Sequence, residues 1–214
     1  MQTASGFSVE NPLELLLGCV HNWYPMYDGV EVAQDHQLRV VEIALSIMLN
    51  SRISGNTGEK IWRKAGATVE AALSQIPPHI DLLSIPSNEP IPGEMAIGQA
   101  VDSMCAVRGS KLAVATKILH KKRPGLIPIF DSYVEGHYWD SPLLTPTYRH
   151  ASWGRYAIGL MRMVRADLDS VHDEIQELRE TLEENHTPLT GCRILNALMW
   201  GVLSGNDRWL RELT

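Results

Sequence analysis

The sequence predicts an all-α protein, and three observations carry that prediction. Apolar residues recur at steps of three and four in almost every patterned stretch, a spacing that lines one face of a helix. Prolines and glycines fall between those stretches rather than inside them. The short apolar run Leu126 to Phe130, a possible strand by composition, is interrupted by Pro128, which a central strand does not accept. The chain has 214 residues, so a single domain with a substantial core is expected. Its halves are expected to be approximate: residues 30–106 as a helical bundle, 107–139 as a hairpin and following helix, and 1–29 with 150–214 as a second helical half.

The elements follow in order. Asp35 is placed to cap a helix whose apolar face is Leu38, Val41, Leu45, Met48 and Leu49, with Val40, Ala44 and Ile47 widening it into a largely buried helix. Ser51 to Gly58 reads as a polar turn, followed by short helices near Glu59 to Lys64 and Thr68 to Gln75. The prolines from Pro77 to Pro92 break the next stretch, and a helix is expected from Glu94 to about Ala106. After Gly109 the helical spacing resumes from Lys111 to His120 until Pro124 and Gly125. A short helix is expected between Asp131 and Trp139. Val164, Leu168, Val171, Ile175, Leu178 and Leu182 repeat at fours and threes and predict one long helix, with an intrachain face favoured over a dimer seam. The last helix carries Ile194, Leu195, Leu198, Met199 and Val202, and Gly205 ends it.

Composition excludes several classes. Hydrophobic residues make up 44% and charged residues 21%, which fits a globular chain rather than a disordered one. No apolar run is long enough to span a membrane, and the first residues lack a basic segment followed by an apolar one, so a cytoplasmic protein is expected. Three widely spaced cysteines, Cys19, Cys105 and Cys192, argue against a disulfide framework, a zinc ribbon or a cysteine-held cluster. The eight histidines show no metal-ligand spacing, so no metal and no cofactor are expected.

Net charge is -6, yet the charge is segregated. Arg108, Lys111, Lys117, Lys121, Lys122 and Arg123 lie in a stretch without acids, while eight acids between Asp167 and Glu184 face only Arg179. The basic run reads as an anion-binding face. On a helical wheel Lys111 falls within the apolar stripe, with Lys117 and His120 opposite; from the first turn its long stem either reaches solvent, the favoured reading, or leaves a partly desolvated amine suited to nucleophilic attack. Asp131 either caps the helix that follows it or, with Ser132 and Glu135 taking that duty, stands just outside with its carboxylate free behind Ile127, Ile129 and Phe130.

Gly109-Ser110-Lys111 opening a helix, with an aspartate twenty residues after the lysine at the next helix start, resembles the helix-hairpin-helix DNA glycosylase superfamily. Ala44 to Lys60 is similar to the helix and turn of the endonuclease III type. The stretch around ATKILHKKRPGLIPIFDS also resembles a bacterial group of small glycosylase-like proteins linked to defence against phage DNA with modified bases. The resemblance implies two closely packed helical halves around a cleft, and a hairpin of Arg108, Gly109 and Ser110 holding backbone phosphate, with Lys117, Lys121, Lys122 and Arg123 extending that contact. It further implies Asp131 and Lys111 as catalytic residues, and Arg52 filling the gap left by a flipped base. Asn22, Trp23, Tyr24 and Tyr27, the densest aromatic cluster, are candidates for the base pocket, with Tyr133 and His137 weaker ones. The implied activity is a monomeric, monofunctional DNA glycosylase that flips and excises a damaged or modified base from duplex DNA and leaves an abasic site. The alternatives are a DNA-binding module that has lost the chemistry and a regulator dimerised through the Val164 to Leu182 stripe.

Overall fold

Three-and-four spacing becomes helix throughout the part of the chain that the computed structural model describes, residues 1–19, 25–86, 88–142, 144–149, 151–185 and 188–205. The protein is all-α there, with one isolated antiparallel bridge between Gln2 and Ser8. Short helices α1 (Pro12–Gly18) and α2 (Pro25–Gly29) precede α3 (Val40–Met48). Next, α4 (Gly55–Lys60) runs through a π-helical turn at Ile61–Ala65 into α5 (Gly66–Leu73). A 3-10 turn at Leu82–Ser84 leads to α6 (Glu94–Cys105), α7 (Leu112–Lys122), α8 (Ser132–Trp139) and α9 (Pro146–Arg149). Long helices α10 (Trp153–Ser170), α11 (His172–Glu184) and α12 (Gly191–Leu203) complete the described chain. None of these helices is long and apolar enough to cross a membrane.

One contiguous core runs from Phe7 to Met199 and draws on nearly every helix. Its tightest crossing is between α6 and α10, where a Cβ on Gly154 would sit 2.1 Å from the carbonyl oxygen of Gly98. Only glycine lets the two backbones approach so closely there.

Several expectations change. Arg39, not Asp35, occupies the cap position of α3, because Asp35 is drawn into ion pairs with Arg39 and Lys122. Helix α3 is also not buried all round, since Val40 is 62% and Met48 49% exposed. Helix α4 starts inside the expected polar turn, because the Ser54 hydroxyl accepts the Thr57 amide and caps it. The long acidic helix is two helices that break at Val171. Val164, Leu168, Ile175, Leu178 and Leu182 are all buried within the chain, so the stripe has no surface to offer a dimer seam.

The largest correction concerns the basic run. Lys122 is fully buried, and its ammonium contacts Asp35 Oδ1 at 2.6 Å, Glu42 Oε1 at 3.3 Å and the Ala33 carbonyl at 2.5 Å. Buried Arg123 donates to the carbonyls of Leu73, Ile76, Gln34, Asp35 and Lys122. Lys121 donates to the Tyr27 carbonyl at 2.6 Å and lies over the Tyr27 ring. Lys117 is 5% exposed. Lys117, Lys122 and Arg123 tie helices and loops together from inside and half-buried Lys121 does so nearer the surface; the three buried cations form no phosphate-facing surface, because a buried cation needs its partners close at hand.

Candidate active site

Between α6 and α7 the chain makes a tight hairpin. The Ser110 amide donates to the Val107 carbonyl at 2.9 Å, and Gly109 takes φ +92°. A side chain at Gly109 would be strained by that φ and would press against the Thr57 hydroxyl, 3.1 Å from an added Cβ. The hairpin therefore leans on the first turn of α4. Arg108 and Lys111 are exposed on it, and Arg52 is exposed on the loop before α4. Ser51 and Ser110 add two buried hydroxyls with no hydrogen-bond partner among the described residues. Lys111 is thus a surface residue preceding α7, its stem in solvent rather than desolvated against the apolar stripe.

After α7 the chain must present Asp131 without help from a strand. Three buried side chains do this by holding consecutive backbone groups. His120 Nδ1 donates to the Ile127 carbonyl at 2.7 Å, and Asn196 Nδ2 donates to the Ile129 carbonyl at 2.6 Å. The Phe130 amide donates to Thr116 Oγ1 at 3.1 Å, and that hydroxyl itself donates to the Leu112 carbonyl. Burial lowers the His120 pKa from its ordinary value to about 4, so the ring is neutral and its tautomer is fixed by the carbonyl it serves.

Asp131 itself caps α8. Its Oδ1 accepts the Tyr133 and Val134 amides at 3.0 and 3.1 Å, so the Ser132 and Glu135 box does not take that duty. Its Oδ2 receives no hydrogen bond among the described residues. The residue lines a cavity of about 220 Å³ together with Leu49, Asn50, Lys117, Asn196 and Trp200, and with Met48, Ile129 and Arg193. The volume falls below the ~300 Å³ at which drug-sized sites begin, so the cavity has room for one small group only.

The amine in this cavity is Lys117. Its Nζ donates to the Leu49 carbonyl at 2.5 Å, and no carboxylate pairs with it among the described residues. Burial lowers its pKa, opposed by the charge of Asp131 and reinforced by that of Arg193. Arg193 is held by both oxygens of Asp28 at 2.8 Å and reaches Asn196 Oδ1 at 3.2 Å. The cavity therefore offers a carboxylate oxygen and an ammonium against apolar walls, at the meeting of α3, α7, α8 and α12.

The expected aromatic pocket does not form here from Tyr27 and Tyr133. Tyr27 is 1% exposed and donates its hydroxyl to the Lys117 carbonyl, while Tyr133 is 47% exposed and lies outside the cavity lining. Asn22, Trp23 and Tyr24 lie outside the described residues. His137 bonds the Ser5 hydroxyl at 2.8 Å, away from this cavity. Sequence reasoning missed Asn50, Arg193, Asn196 and Trp200. A signal for two of them was present, since Arg193 and Asn196 interrupt an otherwise apolar helix three residues apart. A larger cleft of about 430 Å³ between α6 and α10 is lined by Glu94, Asp102, Tyr148 and Arg162. Those groups bond one another or cap α10, which leaves less for a ligand. Among the described residues no cluster of His, Cys, Asp and Glu is placed to hold a metal.

Comparison with known proteins gives one result: residues 21–202 match a family of unknown function, DUF6308. No curated protein and no solved structure matches the chain.

Proposed function

The chain belongs to DUF6308, whose function is unknown, and we propose that it is a monofunctional DNA glycosylase that extrudes and excises a damaged or modified base. The single observation that carries this reading is that the Asp131 carboxylate and the buried Lys117 amine line one small cavity. Glycosidic cleavage builds positive charge on the sugar, which a nearby carboxylate stabilises while it accepts a proton from the attacking water. The base must leave the stack to reach such a cavity. Arg52 stands two residues beyond Asn50 on the cavity rim, where a guanidinium plane could fill the vacated space in the duplex.

DNA as the substrate is supported by the other side of the same region. The hairpin offers Arg108 and Lys111 in solution, next to the α4 start and Arg52. Cations so grouped suit backbone phosphate. A binding module without chemistry accounts for the two capping bonds of Asp131, but not for its uncapped Oδ2 or for a buried ammonium that shares its cavity. The test is to incubate the protein with DNAs of different base composition and identify released bases by mass spectrometry. A released base with a matching abasic site supports the reading; tight DNA binding with no release from any DNA supports the binding module.

A further inference from the structure

Lys117 is an ammonium kept inside the protein with a carbonyl, not a carboxylate, as its hydrogen-bond partner. A buried charge is costly unless its donors are all hydrogen-bonded. Its neighbours across the cavity sharpen the point. Arg193 has its charge matched by Asp28, and Asn196 has its amide committed to Ile129. The Asp131 carboxylate acts on Lys117 through its charge but makes no hydrogen bond to it among the described residues, so the remaining N–H donors of the amine are left for an electron-rich occupant.

Resting on the glycosylase reading, we propose that the cavity selects uncharged bases with a ring carbonyl, which depart as anions stabilised by Lys117, and that it rejects cationic N-alkylated purines. The C1′–N bond breaks heterolytically, and both electrons leave with the base nitrogen and spread onto the carbonyl oxygen. Lys117 donates a hydrogen bond to that oxygen. The sugar cation takes up water at C1′, and the proton the water loses goes to the Asp131 carboxylate. The base anion then takes a proton from solvent on release. A base already carrying a positive charge needs no such help, since it departs neutral, and it would set that charge beside the Lys117 ammonium.

The experiment uses the whole chain and two sets of DNA. One set contains uracil, hypoxanthine or 5-hydroxymethylcytosine; the other is methylated to carry N7-methylguanine and N3-methyladenine. Release is read by mass spectrometry and divided by spontaneous loss. The expected result is enzymatic release confined to the carbonyl set, with Lys117→Met lowering it roughly 100-fold and Lys117→Arg, which keeps a donor, retaining more. Release of the methylated purines as fast as the carbonyl bases, or undiminished release by Lys117→Met, overturns the inference while leaving the glycosylase reading in place. No release from either set, or from any other DNA, overturns both. The comparison of base classes uses the wild-type chain, so it stands even if Lys117→Met does not fold.

Discussion

The two ends of the stretch from Arg108 to Arg123 carry similar charge and meet opposite fates. At the hairpin end Arg108 and Lys111 are exposed. At the far end Lys122 and Arg123 are buried, with Lys122 paired to acids some eighty residues earlier, Asp35 and Glu42. Lys117 lies between, buried yet opening on a cavity. The difference teaches that a run of cations in sequence states how much charge is present, not which side of the surface it occupies. Distant carboxylates and carbonyls decide that.

The sharpest way to break the comparison is to exchange the ends. Lys122→Met leaves the Glu42 carboxylate buried beside no ammonium, and the expected loss is about 3–5 kcal/mol of stability, read from urea unfolding. Lys111→Met is expected to change stability by under about 0.5 kcal/mol. Similar losses for the two would erase the distinction.

A somewhat smaller effect concerns pH. His120 titrates near 4 when folded and near ~6.5 when unfolded, so the unfolded chain binds more protons between those values. The stability it contributes is complete above pH ~6.5 and is lost as pH falls toward 4, roughly 3 kcal/mol in all. Urea midpoints of the wild type are expected to fall more steeply over this range than those of His120→Gln. Parallel slopes would show that His120 is not held neutral by burial.

The smallest expected effects are in DNA binding. Arg108→Ala and Lys111→Ala are each expected to reduce the salt slope of DNA affinity by about 0.9, while Lys121→Ala leaves the slope unchanged. A slope that responds to Lys121 instead would restore the basic run as a phosphate surface.

How much of this was legible follows from the same residues. Helical class, the break after Pro124 and the place of Asp131 at a helix start were readable, because periodicity, proline and a carboxylate before a helix are local signals. The wheel placed Lys117 opposite the apolar stripe correctly in angle. It could not report that this face is covered, since the covering groups are Leu49 and the Tyr27 hydroxyl, 68 and 90 positions away. Lys111 stays in solvent for the mirror reason: the stripe it belongs to begins only after it. The break at Val171 escaped notice because the apolar spacing runs through it without interruption.

The central claim is that Asp131 acts in the cavity it lines rather than only capping α8. The most direct test compares Asp131→Asn with the wild type on the same DNA, measuring base release and DNA affinity together. Asparagine keeps the capping oxygen and the shape but not the charge. The account predicts release lowered by about 100-fold or more, with DNA affinity within a few fold and an unchanged helical fold. Base release near the wild-type rate would contradict it.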